Sequence, residues 1–336
     1  MKAGATGATA RRAGGALAAL AVALVVAPFV VDEYLLSVLI VVLYFAYVGQ
    51  AWNVMMGFAG QLSLGHTIYV GLGAYTSAAL FVHFGLTPWL GMVAGVAVAV
   101  AAGAAIGFLG FRFGIQGVYF ALLTIAFAEF TRILFAHFEW VGATGGLFLP
   151  VENRAENDLF NLRGDPTMFY YLILALASGG LALSHALMRS RLGYYWLAIR
   201  EDQEAAQALG INVFRYKMVA VMLSAAMTAL GGVFFAFYYN NLFPSEAFSM
   251  YRSIELILAP IVGGLGTLFG PILGAFVLTP LGETITWAME GLGFRAAGVK
   301  LLVYGVVLLM IIKFLPSGVW PWLRGRIGFG DPRHDD

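Results

Sequence analysis

A cluster of charged residues between two apolar segments has the types and spacing that best support a functional contact. We call Leu192–Asn212 the charged island, and its charged positions are Arg200, Glu201, Asp202 and Glu204. Asp202 is expected to cap a short helix, with Glu204 in the first turn and a stop at Gly210. The helix would also carry small residues at Ala205, Ala206 and Ala208. Such a face can enter a groove on another protein. A solvated amphipathic loop lying on membrane lipid headgroups is the open alternative.

Two glycine-rich turns, Gly57–His66 and Gly263–Pro271, are the next candidates. Glycine permits irregular backbone, and the freed amides and carbonyls can line a polar path between membrane helices. The predicted path residues are Gly57, Gly60, Gln61, Ser63, Gly65, His66, Thr124, Gly263, Gly264, Gly266 and Gly270. Tight helix packing through the glycines is the favoured alternative.

Polar side chains within apolar segments are costly in lipid and are expected to face the interior of a helix bundle. They are Gln116, Thr124, Glu129, Arg132 and Glu283. Glu129 and Arg132 lie three residues apart, so a helix would let them pair with each other. For His66, a hydrogen bond to loop backbone is favoured over titration near neutral pH.

Sequence signatures of catalysis are missing. The chain has no GxxxxGK[ST], HExxH or GxSxG motif, and its five histidines lack ligand spacing. We therefore expect no catalytic residue, no cofactor and no metal site, and the chain is not expected to be an enzyme. Its net charge of +1, without a long basic run, also indicates no nucleic-acid partner.

Composition identifies the elements that must position these residues. Hydrophobic residues make up 61% of the chain and charged residues 11%, which is typical of a multi-span membrane protein. A span needs about 20 mostly apolar residues. The eighth and ninth of the predicted spans have the weakest evidence and could be broken or re-entrant helices. The ten predicted spans are 13–31, 35–57, 62–82, 87–109, 115–136, 168–188, 218–240, 253–265, 267–290 and 299–316.

Basic residues orient the predicted bundle, because they accumulate on the cytoplasmic side. Arg11 and Arg12 place tail 1–12 inside, and ten spans bring tail 321–336 back to the same side. The membrane domain is then 13–320, with loop 189–217 cytoplasmic and loop 137–167 extracytoplasmic. A cleavable signal peptide is the alternative for 13–31, but no clear cleavage site precedes Asp32.

Six blocks in order resemble one known family, the permease subunits of ATP-binding-cassette (ABC) importers for branched-chain amino acids and related solutes. The segment AIREDQEAAQALGIN resembles its coupling loop, with the EAA-x3-G core at Glu204–Gly210. The other blocks are Gly57–Ala78, Gly114–Leu134, Thr144–Gly146, Gly263–Ala275 and Phe314–Trp320. The resemblance covers roughly Leu35 to Trp320, nearly the whole chain.

The resemblance implies a fold and a set of partners. The fold is an all-α polytopic membrane protein of about ten helices, in the bacterial cytoplasmic (inner) membrane. The chain would form half of a translocation pathway with a second related permease. Cytoplasmic ABC ATPase subunits would dock on a coupling helix at 197–210, and a periplasmic or lipid-anchored solute-binding protein would dock on the other side.

Alternatives remain for substrate and mechanism. Within the family, branched-chain amino acids are the commonest substrate, and urea, short amides and aromatic acids are the others. An ion-coupled secondary transporter is the alternative function. It would need buried titratable groups and no ATPase, and Glu129 and Glu283 are the candidates for that role.

Overall fold

The computed structural model describes residue 15 and residues 19–150, 157–291 and 297–327, and this part of the chain is mostly helical. In chain order the helices and strands are α1 (Ala19–Phe29), α2 (Glu33–Asn53), α3 (Thr67–Phe84), α4 (Pro88–Arg112), α5 (Val118–Ala136), β1 (Leu147–Phe148), α6 (Pro166–Arg189), α7 (Arg191–Glu201), α8 (Gln203–Ala208), α9 (Val213–Tyr239), β2 (Asn241–Leu242), α10 (Pro244–Ala247), α11 (Met250–Gly264), α12 (Gly270–Gly291), α13 (Ala297–Phe314) and α14 (Val319–Ile327).

Seven helices within the described ranges are long and apolar enough to cross a membrane. They are α2 with its π-helical extension Val54–Phe58, α3, α4, α5, α6, α9 and most of α12. An eighth span is obtained if α13 and α14, bent by 46°, count as one. These elements are an all-α polytopic membrane fold, in agreement with the predicted class.

The predicted count of ten spans is not reproduced by the described residues. Prediction 13–31 falls partly outside them, and the described portion, α1, is too short to count as a span. Prediction 253–265 corresponds to α11, a helix of 15 residues that contains Pro260. The tenth prediction, 299–316, corresponds to α13, the first half of the bent pair. The two tails, 1–12 and 321–336, lie largely outside the described residues.

Polar residues at the helix starts explain where α2, α6, α9 and α11 begin. The side chain of Asp32 accepts a hydrogen bond from Leu35 N at 2.8 Å, and Asp165 accepts one from Met168 N at 2.9 Å. Asn212 caps α9 through Arg215 N at 3.0 Å, and Ser249 caps α11 through Arg252 N at 3.1 Å. Each cap satisfies an amide that a helix start leaves unpaired.

The core of the bundle lies around α2, α3 and α9, whose side chains are mostly buried. Small residues let these backbones approach closely. A Cβ at Gly232 of α9 would lie 2.0 Å from the carbonyl oxygen of Val70, and one at Gly73 would lie 2.4 Å from that of Ala229. The α3–α9 contact is therefore a rigid frame for the elements around it.

The bundle has two distinct ends. At one end, β1 and β2 form a two-stranded antiparallel ladder that pairs Leu147 with Leu242. At the other end, α7 and α8 form most of the charged island, and the glycine-rich turns reach towards them. We call these the strand end and the island end.

Candidate functional site

The charged island folds as two helices with a sharp break between them. Asp202 has an extended backbone, with φ of −153°, and separates α7 from α8. Its side chain accepts hydrogen bonds from Glu204 N at 2.9 Å and Ala205 N at 3.0 Å, which confirms the predicted cap. The predicted single helix over 197–210 is wrong, because the extended residue that caps α8 also ends α7.

The small residues of α8, which were predicted to face a partner protein together, do not all lie on the same side. Ala206 is 2% exposed and packs against Ile199 and Val213, so it belongs to the protein interior. Ala205 and Ala208 are exposed. Beside them Leu209 is 83% exposed, an apolar side chain that sequence reasoning missed. Its signal was an apolar residue directly before a helix-ending glycine.

Gly210 stops α8 as predicted. Its backbone is left-handed, with φ of +86°, a conformation that L side chains rarely adopt. Its amide donates to Gln207 O at 3.0 Å, and Ile211 N donates to Ala206 O at 3.1 Å. The chain then turns into α9.

Glu201 and Glu204 both have exposed side chains, so the outer rim of the island is acidic.

Arg200 is directed into the protein, although the sequence placed it on the docking rim. Its Nη1 donates to the carbonyl oxygen of Gly57 at 2.6 Å, and its Nη2 donates to Glu201 at 2.8 Å. The side chain is 33% exposed. The guanidinium therefore ties α7 to the start of the first glycine-rich turn.

The two glycine-rich turns meet beside this guanidinium. Asn53 Nδ2 donates to Thr267 O at 3.0 Å, and Gly266 N donates to Asn53 Oδ1 at 2.9 Å. A Cβ at Gly266 would lie 2.5 Å from Arg200 Nη1 and 2.8 Å from Gly57 O. We call Asn53, Gly57, Arg200, Gly266 and Thr267 the turn junction. Asn53 was missed, although a lone asparagine at the end of an apolar span was a usable signal.

The far part of the first turn packs against α5 and α9. Thr124 Oγ1 accepts hydrogen bonds from Leu64 N at 3.1 Å and Gly65 N at 3.3 Å. His66 is fully buried, and its Nε2 lies 2.8 Å from Thr228 Oγ1. The expected backbone partner for the His66 ring is wrong, because hydroxyl groups of α9 reach the ring first.

The other predicted path residues lie in close-packed contacts. Gln61 donates to Ala59 O at 2.7 Å, and the side chain of Ser63 is buried. A Cβ at Gly60 would lie 3.0 Å from Arg200 Cγ, and one at Gly264 2.9 Å from Pro321 Cδ. Gly263 and Gly270 also approach each other, because a Cβ at Gly263 would lie 1.7 Å from Gly270 O. These contacts favour the packing interpretation of the glycines.

The polar residues predicted to face the interior divide into two groups. Thr124 is buried and Glu283 is half-buried. Glu129 and Arg132 pair as predicted, with contacts of 2.9 and 2.5 Å, but their side chains are 50% and 33% exposed. Gln116 is exposed as well. The interior prediction is wrong for Gln116 and Glu129 in this chain, because Gln116 lies in the turn before α5 and Glu129 lies on a part of α5 at the edge of the bundle.

Helix α7 is anchored to the bundle by a buried tryptophan. Trp196 has no exposed surface and packs with Phe58 and Ala59 of the first turn. Its Nε1 donates to Tyr216 O of α9 at 2.9 Å. The α8 helix is tied to α9 separately, by a hydrogen bond from Lys217 Nζ to Gln203 Oε1. The island is therefore a packed element, and a free surface loop would lack these contacts.

These features define the class of the protein, a multi-pass membrane protein with a structured element packed on one end of its helix bundle. The chain belongs to the family described as branched-chain amino acid transport system / permease component, which matches residues 34–312.

Two individual relatives are permease proteins whose names agree with the family description. The chain is 29% identical over 332 residues to the high-affinity branched-chain amino acid transport system permease protein LivM of Escherichia coli (strain K12), covering 93% of this chain and 76% of that protein. It is 24% identical over 289 residues to the corresponding permease protein LivH of the same organism, covering 82% and 90%. A solved structure, PsaBC from Streptococcus pneumoniae in complex with Fab, aligns with a TM-score of 0.44 and 14% identity, covering 88% and 96%.

Proposed function

We propose that this chain forms half of the translocation pathway of an ABC importer and takes its energy from a separate ATPase. The observation that carries the coupling role is the contact of Arg200 with Gly57, beside Gly266. Through it, one island side chain touches both glycine-rich turns. A partner that moves α7 and α8 therefore acts directly on the ends of α2, α11 and α12.

The docking surface in this proposal is the outer side of the island. It presents the acidic rim of Glu201 and Glu204, together with Ala205, Ala208 and the exposed Leu209. An apolar residue surrounded by charged ones suits a pocket on a protein partner, because the apolar group gives affinity and the charges give orientation. Asp202 caps one end of α8 and Gly210 stops the other, so these two residues fix the position of the helix that carries this surface.

In this proposal, the packing of the island transmits movement of the ATPase to the membrane spans. Trp196 packs on the first turn and bonds to α9, Arg200 bonds to the first turn, and Gln203 and Lys217 join α8 to α9. Closure of an ATPase pair moves the island, and the packed contacts carry that movement into the spans. The bundle thereby alternates between inward-open and outward-open states. No ATP binds to this chain in the proposed scheme.

The partners and substrate class follow the family. We propose a second related permease, two cytoplasmic ABC ATPase subunits and an extracytoplasmic solute-binding protein, assembled in the bacterial inner membrane. The exposed face of α5, which carries Glu129 and Arg132, is a surface that a second permease could cover. Branched-chain amino acids are the proposed substrates, because the family description and the relatives' names specify them.

The coupling role is tested by co-purification from membranes with the cognate ATPase subunit. We expect wild type to retain the ATPase and Glu204→Lys to lose it, because the substitution reverses a charge on the docking rim. Glu139→Lys is the matched control, since Glu139 is an exposed glutamate in loop 137–167 at the strand end. Equal retention of the ATPase by Glu204→Lys and by wild type would refute docking at this rim.

A further inference from the structure

A cavity lined by charges of both signs lies where α11 and α13 begin. Its volume is about 400 Å³, within the range of about 300–1,000 Å³ typical of small-molecule sites. The lining includes Glu246, Tyr251, Arg252, Glu255 and Lys300. None of these residues belongs to the charged island or to the turn junction.

The charges at this cavity are partly buried and in direct contact. Glu255 has a side chain only 3% exposed, with Arg252 Nη1 at 3.1 Å from its Oε2 and Lys300 Nζ at 2.9 Å from its Oε1. Charged side chains in membrane proteins are costly and commonly mark substrate or ion pathways. The alternative is an ion-pair network that only fastens α13 to α11.

Two observations indicate that the cavity has unused binding capacity. Glu255 Oε1 is buried and lies 2.9 Å from Lys300 Nζ, an ammonium whose three N–H groups include donors beyond that one contact. Glu246 has an exposed side chain and forms no ion pair within the described ranges. Oxygen acceptors and cationic donors are therefore both available to a ligand.

Helix α11, which lines the cavity, also contacts the first glycine-rich turn. Ser253, between Arg252 and Glu255 in the sequence, accepts a hydrogen bond from His66 N at 3.1 Å and donates one to Leu64 O. A ligand bound at Arg252 and Glu255 would therefore contact the same helix that is hydrogen-bonded to the first turn. This location suits a substrate-binding site on a translocation pathway better than a lipid-facing surface.

We infer that this cavity binds the zwitterionic end of an α-amino acid, an inference that rests on the proposed transport function. The ligand's ammonium group faces Glu246 and Glu255, and its carboxylate faces Arg252 and Lys300. The four side chains sum to zero charge, so a ligand with one charge of each sign leaves the site balanced. A ligand with one charge missing leaves one charge of the site unpaired beside the buried carboxylate of Glu255.

Ligand-observed saturation-transfer NMR on the full chain in lipid nanodiscs tests this directly. The probes are L-leucine, L-leucinamide, which lacks the carboxylate, and 4-methylpentanoate, which lacks the ammonium. We expect L-leucine to bind and each single-charge analogue to bind about tenfold more weakly, because a lost charge-assisted hydrogen bond costs about that factor. Equal binding of all three compounds, or no binding of L-leucine, would overturn the inference.

Variants locate the binding in this cavity. Arg252→Gln and Glu246→Gln are each expected to weaken L-leucine binding about tenfold. Lys313→Gln is the matched control, because Lys313 lies near the other end of α13 and outside the cavity lining. Glu246→Gln keeps the test valid if Arg252→Gln does not fold, since Glu246 has no ion pair in the described structure. Unchanged L-leucine binding in Glu246→Gln would refute the site.

The outcome separates this inference from the coupling proposal. Binding here is measured without ATP or an ATPase, so a chain that fails to retain an ATPase can still bind L-leucine. Conversely, a chain that retains its ATPase and shows no charge-dependent binding would keep the coupling role and lose this site.

Discussion

At the scale of single residues, the turn junction links parts of the chain that are far apart in sequence. Arg200 bonds to a carbonyl 143 positions away, and Asn53 bonds to an amide 213 positions away. A hydrogen bond from a charged donor is among the stronger ones, and in this partly buried junction an unmade bond leaves a costly unpaired group. Each member of the junction is therefore sensitive to small changes.

Gly266→Ala tests how tightly the junction is packed. The new methyl group would overlap Arg200 Nη1 and Gly57 O, and the backbone φ of +73° disfavours any L side chain. We expect a destabilisation of about 1–3 kcal/mol, seen as a lower melting temperature of the purified protein. Gly179→Ala in α6 is the control, because nothing lies within 4 Å of its Cβ position. Equal melting temperatures for the two variants would contradict the packing described here.

What the sequence predicted at this scale depended on local signals. The Asp202 cap, the Gly210 stop and the Glu129–Arg132 pair each involve residues a few positions apart, and all three were predictable. The direction of Arg200 and the burial of Ala206 depend on which distant segments pack nearby. A charged residue in a docking motif looks solvent-facing until the carbonyl of Gly57 is brought beside it.

At the scale of elements, the break at Asp202 matters most. It lets α7 pack along the first turn while α8 takes its own direction against α9. A continuous helix over 197–210 could not make both contacts. Helix α11 begins after the Ser249 cap and ends before Leu265, whose backbone is extended, so the predicted eighth span is a helix of only 15 residues. Hydropathy detects apolar content and cannot detect where tertiary contacts end a helix.

Substitution at Asp202 tests the role of α8. Asp202→Ala removes the acceptor for two amides and should cost about 1 kcal/mol of helix stability, so the ends of α8 fray. We expect weaker retention of the ATPase in co-purification. Asp202→Asn is the matched control, because asparagine caps helices about as well as aspartate. Equal loss with both variants would mean that the charge of Asp202 matters and the cap does not.

At the scale of the whole molecule, the two ends of the bundle have separate roles. The island end carries the proposed ATPase surface and the turn junction, and the strand end carries loop 137–167. The charged cavity is lined by α11, which contacts the first turn through Ser253. This division predicts that loops at the two ends lie on opposite sides of the membrane, as the basic residues of the sequence indicate.

Single cysteines test that division cleanly, because the chain contains no cysteine of its own. Glu139→Cys and Glu204→Cys replace exposed residues at the strand end and the island end. We expect a membrane-impermeant maleimide to label Glu139→Cys in spheroplasts and to label Glu204→Cys only in inside-out vesicles. Labelling of both positions from the same side would contradict the proposed orientation.

The measurement that tests the central claim most directly is ATP-driven uptake of radiolabelled L-leucine by the assembled importer with Arg200→Ala, alongside retention of the ATPase. We expect the ATPase to remain bound and uptake to fall at least about tenfold, because the substitution removes a charge-assisted hydrogen bond of about 1.5–3 kcal/mol and with it the contact of Arg200 with both turns, although Trp196 still packs on the first turn. Arg189→Ala, at an exposed arginine near the same end, is the control and should transport normally. Normal uptake in Arg200→Ala would show that the turn junction does not transmit the movement.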